Sequence, residues 1–251
     1  MTEPIITIKK LKKTYPRAYG RRRTEVFSDV DLTIHHGEFL ILLGPSGCGK
    51  STFLRILAGL DKATAGTVEY HSAEDRKDIS FVFQNFGLLP WLTVGQNVSL
   101  GLLNKKLKDH ELAREVDAIL EKFGLLQFRH SFPHELSGGM KQRVGLARAF
   151  VTKPKIVFLD EPFSELDFFT AKNLRELLLQ MWKENGTTVV MVSHYIDEAV
   201  YLSDRIAVFS DRPGTLRKII PNTLPRSRHY RSPEFFALED EVLKHFEGNR
   251  G

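Results

Sequence analysis

The sequence predicts an α/β protein with a mainly parallel central sheet, an antiparallel β subdomain near the N-terminus and an inserted α-helical subdomain. Three observations carry that prediction. Continuous apolar runs at Phe39-Leu40-Ile41-Leu42-Leu43, at Ile156-Val157-Phe158-Leu159 and at 187–192 are separated by helical stretches, as in strands buried on both faces of a parallel sheet. Residues 5–8 and 25–34 instead have the period-2 patterning of antiparallel strands. A segment of helical period, 109–123, interrupts the strand series.

The two N-terminal strands flank a connection, 16–24, that carries Arg17, Arg21, Arg22 and Arg23. A basic hairpin tip is ordinarily a solvated one. Tyr15 stands just before it. The strand 39–43 runs into Gly44-Pro45-Ser46-Gly47-Cys48-Gly49-Lys50-Ser51-Thr52, and a helix over 53–58 stops at Gly59. The loop fills the pattern G-x-x-x-x-G-K-[ST] between a strand and a helix, which is the P-loop arrangement. Its glycines let the backbone curl until successive N–H groups face a phosphate, and the helix N-terminus adds partial positive charge. Lys50 then reaches the β- and γ-phosphates and the Ser51 hydroxyl ligates Mg²⁺. Cys48 is the only cysteine, so an intrachain disulfide is excluded and a reducing compartment is expected.

Residues 66–70 read as a further strand, 71–78 as a polar loop, and 79–84 as a strand buried on both faces that ends on Gln84. Leu88-Leu89-Pro90-Trp91-Leu92 is unusually apolar for a surface connection, so it is either local core or a docking surface. Leu112, Val116, Ile119, Leu120 and Phe123 share one helical face ahead of Gly124. Residues 86–135 thus form a helical insertion, and with the next helix the subdomain extends to about residue 150. That next helix opens at Ser137-Gly138-Gly139 and is stopped by Pro154, giving a second candidate anion site at a helix N-terminus.

The strand 155–159 delivers Asp160 and Glu161 at its carboxyl end, and the strand 187–192 presents Ser193 and His194 in the same way. Ligands of open α/β sheets bind at carboxyl ends, so these groups are expected where the P-loop delivers its own ligand. A helix over 170–184 ends at Gly186, and a strand over 205–209 closes the series. The tail, 211–251, carries four prolines and a helix with Ser232 as N-cap and Pro233 in its first position. Its Phe235, Phe236, Leu238, Val242, Leu243 and Phe246 are expected to pack on the main body.

The 251 residues suffice for one large α/β domain, and a composition of 42% hydrophobic and 27% charged residues excludes disordered and fibrous classes. A net charge of +5 permits contact with acidic lipid or nucleic acid without requiring either. The N-terminus lacks a basic-then-apolar pattern, and no run approaches the length of a membrane span, so neither secretion nor spanning is expected.

With the P-loop, Leu136-Ser137-Gly138-Gly139-Met140-Lys141-Gln142-Arg143, the strand ending in Asp160 and Glu161, and His194 in this order, the chain resembles an ATP-binding cassette ATPase over nearly its full length, as a single nucleotide-binding domain, 1–251. Leu88-Leu89-Pro90-Trp91-Leu92-Thr93-Val94 with Asn97-Val98, and Asp211-Arg212-Pro213-Gly214, resemble the nitrate, sulfonate and taurine importer group. The resemblance implies ATP and Mg²⁺, with Tyr15 stacking on adenine (Tyr19 is its rival), Gln84 touching Mg²⁺ or the attacking water, and Asp160 holding Mg²⁺. It makes Glu161 the group that polarises the water and His194 a contact to the γ-phosphate. Ser137, Gly138 and Gly139 would grip ATP held by a second copy arranged head to tail. Ser164-Glu165-Leu166-Asp167 takes the place of the loop that crosses between copies. Glu165 departs from the small residue expected there, and Tyr195 from an aspartate. Implied partners are an integral membrane permease docking near Leu88 to Leu92 and a solute-binding protein, with no nucleic acid. The implied location is peripheral, on the cytoplasmic side of the inner membrane. A cassette serving an exporter or a lipid-handling complex stays open as the alternative.

Overall fold

The computed structural model describes residues 3–16, 24–226 and 228–247, so Arg17, Tyr19 and Arg21 to Arg23 lie outside the described residues. In chain order the elements are β1 (Pro4–Tyr15), β2 (Thr24–His35), β3 (Phe39–Leu43), α1 (Lys50–Leu57), β4 (Ala65–Tyr70), α2 (Ala73–Lys77), β5 (Ile79–Val82) and α3 (Val94–Ser99). There follow α4 (Asp109–Lys122), α5 (Gly138–Phe150), β6 (Ile156–Asp160), α6 (Phe168–Asn185), β7 (Thr188–Ser193), α7 (Ile196–Leu202), β8 (Arg205–Phe209), β9 (Leu216–Pro221) and α8 (Pro233–Glu247). They group into two compact units, one of Met1–Lys77 with Thr188–Gly251, the other of Asp78–Thr187.

The first unit holds an antiparallel sheet in the order β2-β1-β4, with Ile6 opposite Ile34 and Ile8 opposite Leu32. β1 runs seven residues past the predicted end at Ile8, to Tyr15. Register shifts between Ile8 and Leu11 and around Lys13, with Lys10 at φ 46°, break the alternation there, so period 2 could not reveal the rest of the strand. The same unit holds β7-β3-β8-β9, in which β3 is parallel to both neighbours and β9 runs antiparallel to β8. Every residue of β3 is fully buried, which is why its sequence is apolar without alternation. Leu43 pairs with both Ser193 and Val208. The P-loop and His194 therefore leave their strands at the same end.

In the second unit β5 and β6 are parallel, with Val82 opposite Leu159. β6 is wholly buried, whereas β5, paired only with β6 among the described residues, is half-exposed apart from Val82. The expected two-faced burial of residues 79–84 is thus corrected: the strand ends at Val82, and Gln84 stands exposed in the loop beyond.

The polar stretch 71–78 contains the short helix α2, in which Ser72 Oγ accepts from Glu74 N–H at 3.1 Å. Five residues are too few to display a helical period. In α8, Phe235 and Val242 are buried, but Phe236 and Leu243 face solvent instead of packing. Ser232 caps this helix as expected, its Oγ accepting from Phe235 N–H at 3.2 Å. Among the described residues no helix is long and apolar enough to cross a membrane.

Candidate active site

β3 delivers the chain to a loop whose glycines each meet a different demand. Gly47 sits at φ 80° with nothing near the place of a Cβ. Gly49, at φ 106°, is the N-cap of α1, and a Cβ on it would lie 2.6 Å from Val26 Cγ1. α1 has no side-chain cap, so the loop and first-turn amides suit an anion. Lys50 is only 3% exposed, and its Nζ donates to the Gly44 carbonyl at 2.6 Å and the Pro45 carbonyl at 2.8 Å. The cation thus lies inside the loop. Cys48 Sγ is 3.7 Å from that Nζ, and burial pushes its thiol up from the ordinary value, as suits a bystander. Phe53 of α1 sits between Phe27 and Phe209 in edge-to-face contacts of 5.5 and 5.6 Å, so the helix that carries the loop is anchored in core.

A support not read from the sequence lies under the loop. Gly214, between β8 and β9, donates to the Val26 carbonyl at 2.8 Å and accepts from Ser28 N–H at 3.1 Å. A Cβ there would stand 2.3 Å from the Cys48 carbonyl oxygen. The Asp211 to Gly214 motif therefore has a physical reason: only a glycine lets this turn close on the P-loop.

Tyr15 ends β1, and its hydroxyl donates to Asp61 Oδ2 at 2.7 Å. Burial raises the phenol above its usual range, while the Lys13 hydrogen bond holds the Asp61 carboxyl below its own. His194 follows β7, and the Tyr195 ring lies 4.0 Å from it at a 39° tilt. Ser193 Oγ donates to buried Glu198 Oε2 at 2.6 Å and accepts from Tyr195 N–H at 3.1 Å, which fixes the backbone around the histidine.

The second unit presents the acids. Asp160 is the buried last residue of β6, and Glu161 follows at φ 48°. Ser164 Oγ donates to the Glu161 carbonyl at 3.1 Å. Ser137 caps α5, its Oγ accepting from Met140 N–H at 3.3 Å. Gly138 is open, whereas a Cβ on Gly139 would meet Thr170 Cγ2 at 2.7 Å. Asp167 caps α6, its Oδ1 accepting from Phe169 N–H at 3.1 Å and Thr170 N–H at 3.0 Å; the Thr170 side chain first, and then these backbone bonds, lower its carboxyl pKa. Phe86 to Leu92 lead into α3, where buried Asn97 accepts from Leu89 N–H at 2.8 Å and donates to the Leu89, Leu92 and Thr93 carbonyls. That clip leaves Trp91 68% exposed.

Fold and loop together define a P-loop nucleotide-binding protein. Residues 27–164 match the family model described as ABC transporter. The chain is 44% identical over 236 residues, 92% of its length and 91% of the relative's, to the aliphatic sulfonates import ATP-binding protein SsuB of Bacillus licheniformis. It is 41% identical over 251 residues to the nitrate import ATP-binding protein NrtC of Synechocystis, covering 96% of this chain and 37% of that longer one. A solved structure titled as the dimeric, post-hydrolysis state of an ATP-binding cassette bound to ADP and Pi superposes with a TM-score of 0.78 at 33% identity, over 88% of this chain and 100% of that one. The chain belongs to the ABC transporter family, as one of its ATPases.

Proposed function

We propose that this chain drives an importer of a small anion of the sulfonate, taurine or nitrate kind, working as a head-to-tail pair of copies beneath a membrane permease, on the cytoplasmic side. The observation that carries the nucleotide part is Lys50, drawn to the Gly44 and Pro45 carbonyls beside an uncapped helix N-terminus. The anion and import reading is supported by the names of the relatives, which import sulfonates and nitrate.

In this reading the amides from Gly44 to Thr52 cradle the phosphates and the Lys50 ammonium neutralises the β- and γ-oxygens. Tyr15 carries the adenine. Mg²⁺, when bound, would offset phosphate charge, and the Ser51 hydroxyl, the Gln84 carboxamide and the Asp160 carboxylate each offer the oxygen donors that such an ion prefers. Glu161 orients the attacking water and takes its proton, and His194 hydrogen-bonds the γ-phosphate. Ser137, Gly138 and Gly139 face the triphosphate held by the second copy, with Asp167 fixing the loop between copies. A solute-binding protein and the permease select the solute, because they touch it, whereas this chain touches the nucleotide.

A positioned base contributes about 10²- to 10⁴-fold in rate. Glu161→Gln should therefore keep ATP affinity, lose turnover by about that factor and accumulate ATP-bound dimers in light scattering. Turnover near wild type with no dimer would remove Glu161 from its role. Uptake of labelled sulfonate or nitrate into vesicles carrying the permease, driven by internal ATP, tests the import direction; ATP-driven efflux would overturn it.

A further inference from the structure

Lys13 is a buried cation, 7% exposed, on a strand whose other inward residues are apolar. A buried ammonium is costly unless it is paired. Its Nζ donates to Asp61 Oδ1 at 2.7 Å and to the Lys62 carbonyl at 2.7 Å, and it lies 4.4 Å from the centre of the Tyr15 ring. Register shifts around Lys13 break the strand's alternation, and it is the shared contact with Asp61 that brings the Lys13 and Tyr15 side chains together. Asp61 in turn accepts the Tyr15 hydroxyl at 2.7 Å on its other oxygen, and its Oδ1 also accepts from Lys62 N–H at 2.6 Å. The ring is therefore tethered at its tip and backed on one face by a cation, and it remains 41% exposed.

An exposed aromatic side chain at a strand end ordinarily loses rotamer freedom when a ligand stacks on it. Here two groups outside the stack have already fixed it. We propose that Lys13 and Asp61 are positioning residues that hold the Tyr15 ring as a preformed platform for a nucleobase, so that this clamp governs affinity for the base and leaves affinity for the phosphates alone. The proposal rests on the nucleotide reading above and adds two residues that touch neither phosphate nor metal.

Calorimetric titration of the full chain with Mg-ATP and, separately, with Mg-tripolyphosphate tests it. Base stacking on an aromatic is worth about 1–3 kcal/mol, so Tyr15→Ala sets the full loss, from about fivefold upward. Asp61→Asn and Lys13→Met should each weaken ATP about three- to tenfold and leave tripolyphosphate unchanged. Tyr15→Phe keeps the ring and removes the tether; it should weaken ATP to a similar degree, and adding Asp61→Asn to it should change little more. Should Lys13→Met not fold, Tyr15→Phe still decides the matter, since it removes only an exposed hydroxyl and leaves the Lys13–Asp61 pair intact. Wild-type ATP affinity in these variants, or tripolyphosphate weakening in step with ATP, overturns the clamp. Wild-type ATP affinity in Tyr15→Ala overturns the platform itself. Failure of the unaltered chain to bind either compound overturns the nucleotide reading instead.

Discussion

Glu161 holds a φ of 48°, in the left-handed region that costs a non-glycine residue about 1–2 kcal/mol. Such an outlier persists where the surroundings over-determine it, and these positions cluster at functional sites. Asparagine tolerates this conformation better than glutamate. Glu161→Asn should therefore match or exceed wild-type stability, by up to about 1 kcal/mol in denaturant titration, while ATP turnover collapses. A loss of stability would show that the backbone there is held by the glutamate side chain. Gly214 makes the opposite case. A methyl 2.3 Å from the Cys48 carbonyl must push the P-loop or the β8–β9 turn. Gly214→Ala should cost about 1–3 kcal/mol and weaken ATP, and wild-type affinity would show that the turn yields instead.

α5 and α6 show how one glycine pair divides its work. Gly139 is needed by packing, since a Cβ would meet Thr170 Cγ2 at 2.7 Å, whereas Gly138 has nothing within 4 Å. Gly139→Ala should lower stability by about 1–3 kcal/mol. Gly138→Ala should leave the melting temperature unchanged or slightly raised, because alanine favours a helix, and yet impair ATP-driven dimerisation if a triphosphate approaches there. Wild-type dimerisation in Gly138→Ala would remove that residue from the nucleotide contact. Elements marked by a continuous apolar run or a strong helical period were legible in sequence: β3, β6, β7, β8, α4, α5 and α6 stand within a few residues of their predicted bounds. Those that were missed have physical reasons. α2, α3 and α7 have five to seven residues, below two turns, so no period can accumulate. β9 lies in a tail dense in proline, and its pairing is antiparallel and at the sheet edge, where proline is tolerated.

On the scale of the whole molecule, the candidate residues were legible because phosphate chemistry demands fixed residue types at fixed spacing. Their supports were not. Lys13, Asp61 and Gly214 act through contacts between segments distant in sequence, and no local pattern encodes those. Asn97 bears on the proposed dock for the membrane partner. Its side chain satisfies four backbone groups of the segment from Leu89 to Thr93, and the result is a fixed loop that offers a tryptophan to solvent. Exposed tryptophan on a rigid frame is the typical anchor of a protein interface, where truncation costs about 2 kcal/mol or more. Beside the loop, a cleft of about 330 Å³ lined by Thr93, Gln96, Leu112, Val116 and Arg129 offers room for a partner side chain. Trp91→Glu should then leave folding and ATP binding of the isolated chain intact, because nothing internal depends on that ring, and reduce transport through the permease about tenfold or more. Asn97→Ala should reduce transport too, but with a fall in melting temperature, since it strands buried backbone groups. Transport at the wild-type rate in Trp91→Glu would move the dock away from this loop. A loss of ATP binding in the isolated variant would instead make Trp91 part of the fold.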